Sequence, residues 1–222
     1  MSSGYLPRSP ISPPVVGTKT VIGPGPTQWR NTALAIGPEG IAGEYYKIHP
    51  VHFFNDGVPG TEARPIATKA GTIGTPVCFD CDYEGVVRKL VRNGAELLVV
   101  PTFDAAWWSE TQHRQHAVLF RLRAAETRRW LVCAASSGYS RIIDPHGCVH
   151  RSIPFDVDDA ITGSVALRTD QTGYTRIGWL APWTVSALAI VLCAMIWIPD
   201  VLRKARLAGA APEKTELEPS LH

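Results

Sequence analysis

The alternation of apolar and polar positions predicts a succession of short strands and two longer helices. Residues 84–93 place their valines and leucine on one helical face, and Gly94 follows as a stop signal. The apolar runs on either side, residues 72–78 and 97–100, have the length of buried strands. Strand, helix and strand in this order form a βαβ unit with parallel pairing, so the pattern predicts an α/β fold.

The rest of the pattern extends this prediction over residues 15–170. A longer helix is expected over 110–129. Further strands are expected over 18–22, 32–36, 131–134, 141–143, 148–153 and 162–167. Turn signals at Gly37-Pro38-Glu39-Gly40 and Asp144-Pro145-His146-Gly147 separate some of these elements. We therefore expect one layered domain of sheets and helices over residues 15–170.

A long uncharged run near the C-terminus changes this picture. Residues 177–199 contain no Asp, Glu, Lys or Arg, and the run can cross a hydrocarbon layer about 30 Å thick. The alternative is a buried core helix, which such a length disfavours. Because Arg203, Lys204 and Arg206 follow, the positive-inside rule places the tail, residues 200–222, in the cytoplasm. We expect an inner-membrane protein whose main domain is periplasmic or extracellular.

Composition and the N-terminal residues give weaker evidence about fold and function. Residues 1–14 are rich in Ser and Pro, which predicts a flexible lead-in without the charged start and apolar centre of a signal peptide. An exported domain without such a signal leads us to expect a domain that is incomplete at its N-terminus. The net charge of +2 gives no electrostatic footprint for nucleic acid, so no such partner is expected.

Candidate chemistry lies in the motifs YYKIHP (residues 45–50) and TPVCFD (residues 75–80). The first carries the cation Lys47 and the second the thiol Cys78. Cys78 is expected at the carboxyl end of its strand, where open α/β sheets bind ligands. A thiol there can act as a nucleophile when a neighbouring cation favours the thiolate. Taken singly, such a cysteine is more often an inert core residue.

A redox pair or half of a metal site is an alternative for the Cys78-x-x-Cys81 spacing. The other half of the metal site would be His146, Cys148 and His150. Their spacing is atypical of the usual zinc motifs. We therefore predict neither a metal nor a cofactor.

Four longer segments carry a resemblance to a known family. TPVCFDCDYEGVVRKLVRNGAELLVVP resembles the nucleophile strand and following helix of the nitrilase, or carbon-nitrogen hydrolase, superfamily. NTALAIGPEG with YYKIHPVHFFNDGVPG is similar to the strand, turn and lysine loop of the apolipoprotein N-acyltransferases, and QHAVLFRLRAAETRRWLVCAASSGYSRIIDPHG to the next helix and strands of that branch. The terminal membrane helix fits this branch rather than the soluble amidases.

The resemblance implies a nitrilase-like domain and acyl transfer through a Glu, Lys and Cys triad. The cysteine takes an acyl chain from a phospholipid as a thioester, and the N-terminal amine of an apolipoprotein accepts it. Carried over to this chain, Cys78 is the nucleophile and Lys47 stabilises the oxyanion. The implied partners are a phospholipid donor, an apolipoprotein acceptor and the membrane.

Several positions depart from the family pattern. The base glutamate of the family lies well upstream of its lysine, and Glu39 and Glu44 fall in the wrong segment to replace it. A second family glutamate after the lysine is matched only by Asn55, with Asp56 beside it. Asp80, two residues after the thiol, stands where the family has a carboxylate. Asp80, Asn55 and Asp56 are therefore candidate supporting residues.

Two pairs of residues complete the candidate list. Trp107 and Trp108 lie near the position of a family aromatic loop beside the substrate, and they are expected either to line a lipid entrance or to pack in the core. His113 and His116 have helical spacing and are expected to be structural. The remaining functional alternatives are a hydrolase of amides with the same triad and a catalytically inactive nitrilase-fold module.

Overall fold

The computed structural model describes residues 13–209, which divide into two compact units between Gly178 and Trp179. The first unit contains two sheets and the helices that cover them. The second consists mainly of one long apolar helix. Residues 1–12 and 210–222, which include most of the predicted lead-in and the end of the predicted tail, lie outside the described residues.

The first sheet is antiparallel and has the strand order β1-β2-β3. Its strands are β1 (Val15–Val21), β2 (Trp29–Gly37) and β3 (Gly40–Tyr46). The predicted turn joins β2 to β3, and Gly40 there has a φ of +112° that favours glycine. Strand β3 was not predicted, because its first four residues, Gly-Ile-Ala-Gly, show no alternation of apolar and polar side chains.

The second sheet has six strands in sequential order. They are β4 (Ile66–Thr68), β5 (Gly71–Gly74), β6 (Leu97–Thr102), β7 (Leu131–Ala135), β8 (Ser140–Ile143) and β9 (Val149–Ile153). The β5–β6 and β6–β7 pairs are parallel, whereas the other pairs are antiparallel. The two parallel crossovers run through α1 (Glu84–Arg92) and α2 (Glu110–Thr127). The predicted βαβ unit and the α/β class are confirmed.

The apolar face of α1 packs into the core beneath this sheet. Val87, Leu90 and Val91 are fully buried, as are Leu98 on β6 and Phe120 on α2. Full burial of an aliphatic or aromatic side chain of this kind contributes about 1.5 to 3 kcal/mol to the free energy of folding. The helix ends as predicted, with Gly94 at a φ of +102° just beyond it. This packing fixes the segment that leads from β5 into α1, where Cys78 lies.

Two strand predictions are wrong. The strand expected to reach Cys78 ends at Gly74, because Pro76 has no N–H to continue the ladder. The residues that follow form a short 3₁₀ turn, Cys78–Asp82. The strand expected over 162–167 is absent from the described structure, because neither edge strand of the larger sheet, β4 or β9, pairs with that segment.

The C-terminal apolar run is helical. Short helical segments, α3 (Gly173–Ile177) and a 3₁₀ turn (Gly178–Leu180), lead into α4 (Ala181–Gly209). By length and composition, the helical stretch Gly173–Lys204 can cross a membrane, and its most apolar window is unburied. Helix α4 continues through Pro199, the last residue of the predicted membrane-spanning run.

Candidate active site

Lys47 is a buried lysine held by the backbone on both sides. It follows β3 directly and is only 3% exposed. Its N–H donates to Asn31 O at 2.8 Å, and its carbonyl accepts from Gly60 N at 2.7 Å. These bonds fix both edges of the segment that we name the lysine loop, residues 47–60. The ammonium group is therefore presented from a restrained backbone.

The ammonium of Lys47 has a carboxylate partner, Asp56. Lys47 Nζ lies 2.5 Å from Asp56 Oδ2, and both side chains are almost fully buried. The same carboxylate accepts from Val51 N at 3.0 Å and from Asn31 Nδ2 at 2.9 Å. Of the two neighbouring candidates from the sequence, Asn55 and Asp56, it is therefore Asp56 that contacts the lysine. A buried charge pair with additional hydrogen bonds of this kind is held in one geometry.

Cys78 begins the 3₁₀ turn, and its backbone is strained. Its φ is +49°, a left-handed conformation that costs a residue with a side chain about 1 to 3 kcal/mol. Cys78 is 5% exposed, and its Sγ lies 3.4 Å from the carbonyl oxygen of Phe103, the residue that follows β6. We name this segment the thiol turn, residues 78–82. Functional sites are among the places where such strained backbone is retained.

Asp80 ties the thiol turn to the lysine loop. Its fully buried carboxylate accepts from His49 N at 2.8 Å and from Ile48 N at 3.1 Å, both directly after Lys47. It also accepts from the Tyr45 hydroxyl at 2.8 Å. Burial raises the pKa of Asp80, while these hydrogen bonds lower it. One carboxylate therefore sets the relative positions of the candidate cation and the candidate thiol.

The electrostatic environment of Cys78 keeps the thiol protonated at neutral pH. Burial raises the pKa of Cys78 to about 12, against the opposing charge of Lys47 and with a further contribution from the negative charge of Asp104. At such a pKa, only about one thiol in 10⁵ is ionised at pH 7. The site therefore needs a base, or a change in these charges, before the sulfur can attack.

A cluster of acids and histidines adjoins the thiol. Asp104, in the loop after β6, lies 2.8 Å from His116 Nδ1 on α2. His116 Nε2 lies 3.4 Å from Asp82 Oδ1 at the end of the thiol turn. His113, one turn earlier on α2, is fully buried and lies 3.7 Å from the second oxygen of Asp104. We name these four residues the acid–histidine cluster.

Comparison with known proteins assigns the first unit to a family. The model of the carbon-nitrogen hydrolase family matches residues 15–173. The chain belongs to the carbon-nitrogen hydrolase family. The solved structures that resemble it include the carbon-nitrogen hydrolase of Helicobacter pylori, with 22% identity, a TM-score of 0.53 and coverage of 59% of this chain and 55% of that one. An amidase from Nesterenkonia sp. has 24% identity, a TM-score of 0.52 and coverage of 60% and 54%. The nitrilase-like fold is confirmed.

Curated relatives include several apolipoprotein N-acyltransferases. That of Geobacter metallireducens is 30% identical over 188 residues, which are 76% of this chain and 36% of that protein. That of Gloeobacter violaceus is 34% identical over 146 residues, which are 65% of this chain and 27% of that protein. The chain thus spans about a third or less of these relatives. The deaminated glutathione amidase of Bos taurus is 36% identical over 111 residues, 45% of this chain and 33% of that protein.

Exposed aromatic side chains border the site of this carbon-nitrogen hydrolase domain. Phe53, Phe103 and Trp107 are 71%, 59% and 74% exposed, and Phe103 supplies the carbonyl beside the thiol. The ring of Phe54 lies 6.5 Å from that of Trp107 and 6.1 Å from that of Trp108. Trp107 is therefore a surface residue, so the core-packing alternative does not hold for it. We name this group the aromatic rim, residues 53–54, 103 and 107–108.

The donor atoms of Cys78, Asp104 and His116 all lie within 4.8 Å of one another. A thiol, a carboxylate and an imidazole are suitable zinc ligands. However, Asp104 and His116 already bond each other at 2.8 Å, which occupies two of the three donors. The arrangement therefore fits a hydrogen-bonded charge cluster better than a metal site. The other candidate metal ligands from the sequence do not share one environment. Cys81 is fully buried, whereas Cys148 is exposed. The N–H of Cys148 donates to Asp144, which also contacts His150.

Sequence reasoning missed the acid–histidine cluster. His113 and His116 were expected to be structural, and Asp104 was not among the candidate residues. Two signals were available in this carbon-nitrogen hydrolase sequence. One is the position of Asp104 just beyond the carboxyl end of a buried strand, and the other is an H-x-x-H spacing on the helix that follows. Neither signal reveals that Asp82 and Cys78 approach the same histidine.

Proposed function

We propose that the chain carries the acyl-transfer domain of an apolipoprotein N-acyltransferase, with Cys78 as nucleophile and Lys47 as oxyanion-stabilising cation. The observation that carries the proposal is the joint placement of these two side chains by Asp80, which accepts hydrogen bonds from the lysine loop and from Val77 N at 3.3 Å beside the thiol. Similarity to several curated apolipoprotein N-acyltransferases supports the choice of reaction within the family.

In the first step, Cys78 Sγ attacks the ester carbonyl carbon of a phospholipid. A C–S bond forms, the C–O bond to the glycerol breaks, and the lysophospholipid alkoxide leaves with the proton that the thiol has lost. Negative charge develops on the carbonyl oxygen in the tetrahedral intermediate. Lys47 supplies a fixed positive charge for that oxygen, and such stabilisation is typically among the largest catalytic terms.

In the second step, the N-terminal amine of an apolipoprotein attacks the thioester. A C–N bond forms, the C–S bond breaks and the amine proton returns to Cys78. The result is an amide-linked acyl chain and a regenerated thiol. Covalent catalysis of this kind divides one difficult transfer between lipid and amine into two easier ones.

Removal of the thiol proton is the step that this site supports least. Burial raises the pKa of Cys78 to about 12, so the thiol needs a general base. Asp56 is paired with Lys47, and Asp80 is engaged by backbone N–H groups. Glu44 bonds the Tyr46 hydroxyl, and Glu39 pairs with Lys69 on the surface. Within residues 13–209, these four carboxylates are therefore committed elsewhere, and we expect slow turnover from the described residues.

The aromatic rim and the apolar helix support a lipid substrate. The three exposed aromatic side chains of this rim, Phe53, Phe103 and Trp107, suit the boundary between water and acyl chains, where aromatic side chains concentrate. The helical stretch Gly173–Lys204 is long and apolar enough to anchor the chain in a membrane. We propose an inner-membrane protein whose domain before residue 177 faces away from the cytoplasm, with Arg203 and Lys204 on the cytoplasmic side.

Hydrolysis of a small amide is the second candidate. It is favoured by the 36% identity to the deaminated glutathione amidase of Bos taurus over 111 residues. The same thioester would then be released by water instead of an amine. A third candidate, an inactive module, predicts no thioester at all.

The test is incubation of the detergent-solubilised protein with a defined phospholipid, followed by peptide mass spectrometry. A hydroxylamine-sensitive acyl adduct on Cys78 that later moves to a lipoprotein-like peptide amine supports the proposal. Cys78→Ser should lose the adduct, whereas Cys148→Ser, which removes an exposed thiol on another part of the domain, should keep it. Turnover of a soluble amide without any lipid requirement would favour the amidase instead.

A further inference from the structure

We propose that His116, in its charged form, is a positioning residue that bridges Asp104 and Asp82 and thereby keeps the Asp104 charge from suppressing the reactivity of Cys78. The inference rests on the proposed role of Cys78 as nucleophile and goes beyond it. It assigns a function to a histidine of α2 that lies close to the thiol and is not itself the attacking group.

The geometry places the imidazole between two carboxylates from different elements. His116 Nδ1 lies 2.8 Å from Asp104 Oδ1, and His116 Nε2 lies 3.4 Å from Asp82 Oδ1. The first contact is a hydrogen bond and the second an ion-pair distance. Asp82 ends the thiol turn and Asp104 follows Phe103, whose carbonyl lies against Cys78. The ring therefore joins the two segments that carry the thiol and its backbone partner.

The charge state follows from this placement. Burial lowers the pKa of His116, but the hydrogen bond to Asp104 and the contact with Asp82 outweigh burial and raise that pKa to about 9. The imidazole is therefore charged at neutral pH. It offsets the two carboxylates, which otherwise leave uncompensated negative charge in a buried site.

Cys78 responds to this balance because its thiolate is itself an anion. Its Sγ lies within 4.8 Å of the donor atoms of Asp104 and His116. Asp104 acts to raise the pKa of Cys78. A like charge at this range shifts a pKa by about one unit or more in a buried site, and an imidazolium beside that carboxylate reduces the effect. Loss of the imidazolium therefore makes the thiolate scarcer.

The other charged groups packed here do not replace His116. Arg123 on α2 donates to the backbone carbonyl of Cys81, and Arg141 on β8 donates to the backbone carbonyl of Ala117. His113 lies 3.7 Å from Asp104, beyond hydrogen-bond distance.

Lys47 faces the thiol from the opposite segment and is paired with Asp56. It lowers the pKa of Cys78 by its charge but contacts neither carboxylate of the His116 bridge among the contacts that the structure describes. His116 is thus the cation that Asp104 and Asp82 share.

The experiment measures the rate of Cys78 alkylation by iodoacetamide, by peptide mass spectrometry in EDTA-containing detergent buffer. His116→Gln should slow alkylation at pH 8 by about tenfold, since one pKa unit changes the thiolate fraction tenfold. The double variant Asp104→Asn/His116→Gln should regain the wild-type rate or exceed it. His150→Gln is the matched control, because His150 makes a similar 2.9 Å contact with Asp144 on an exposed part of the domain.

A merely structural role for His116 predicts a different pattern. The double variant would then be as slow as His116→Gln or slower, and that result overturns the proposal, as does an unchanged rate in His116→Gln. If His116→Gln does not fold, the wild-type pH profile decides. The logarithm of the alkylation rate should rise with pH and flatten near pH 9, whereas a constant slope to pH 10.5 contradicts the proposal. Iodoacetamide needs no lipid, so a failure of phospholipid acylation bears only on the proposed function.

Discussion

Asp80 accepts a 2.8 Å hydrogen bond from the backbone N–H of His49, although the two residues belong to segments that are 31 positions apart. His49 follows Lys47 by two residues, and Asp80 follows Cys78 by two. The hydrogen bond therefore joins the segment that carries the candidate cation to the segment that carries the candidate nucleophile. It also explains why a carboxylate is needed at this place, because backbone N–H groups from the lysine loop point into a fully buried position.

Replacement of Asp80 by Asn should damage both segments at once. The amide keeps the size of the carboxylate but offers one acceptor oxygen, so buried N–H groups of Ile48 and His49 lose part of their bonding. We expect a loss of about 2 to 4 kcal/mol in the free energy of unfolding. Denaturant titration followed by circular dichroism measures it. Asp158→Asn, at an exposed position, is the control and should change stability by less than about 0.5 kcal/mol.

The Lys47–Asp56 pair predicts strong coupling between its partners. Removal of either charge leaves the other buried and uncompensated, which typically costs about 3 to 5 kcal/mol. Lys47→Met and Asp56→Leu should therefore each destabilise the domain by that amount, and the double variant should be more stable than either single one. A double-mutant cycle measures the coupling. Additive losses would show that the pair is not held as the structure places it.

Stability should fall in alkaline solution because of His116. Its pKa is raised to about 9 in the folded state from an ordinary value of 6.5. A raised histidine pKa contributes stability that is fully present below pH 6.5 and is lost as the pH rises through 9. The contribution is on the order of 3 kcal/mol, since one pKa unit corresponds to about 1.4 kcal/mol.

Unfolding free energies between pH 6 and pH 10 check this prediction. The wild-type curve should decline over that window, and His116→Gln should lack most of the decline. Equal slopes for the two proteins would show that His116 does not carry the effect.

Gly138 should tolerate no side chain, because it lies against Asp104. A Cβ atom at Gly138 would stand 2.1 Å from Asp104 Oδ2. Gly138→Ala therefore forces either the loop or Asp104 to move, and we expect a loss of about 1 to 3 kcal/mol in the free energy of unfolding, measured by denaturant titration. Gly85→Ala is the matched control, because no atom lies within 4 Å of its added Cβ and α1 should gain up to about 1 kcal/mol. Wild-type stability of Gly138→Ala would refute the close approach.

The sequence predicts the framework better than the site. Helix α1 and the parallel strands around it follow from the spacing of Val87, Leu90 and Val91 and from the run at Leu97. These signals depend only on residues that are close in sequence, so they can be recognised without knowledge of the tertiary structure. Strand β3 has no such signal in its first residues, and its pairing with β2 depends on the turn geometry at Gly40.

The site depends on contacts that no local pattern encodes. Cys78 was expected at a strand end, but Pro76 stops the ladder and the thiol begins a turn with a φ of +49°. The family pattern pointed to Asn55, whereas the loop brings the carboxylate of Asp56 to Lys47. The meeting of Asp104, His116 and Asp82 joins a loop, a helix and a turn, and it arises only when α2 packs against the thiol turn.

The most direct test of the account is the identity of the acylated residue after incubation with phospholipid. The protein in detergent is treated with a defined phospholipid at pH 8.5, digested and analysed by mass spectrometry before and after hydroxylamine. We predict one hydroxylamine-sensitive acyl adduct on Cys78, formed slowly and lost in Lys47→Met. An adduct on Cys81 or Cys133, or no adduct while alkylation shows Cys78 to be accessible, would contradict the assignment of Cys78 as the nucleophile.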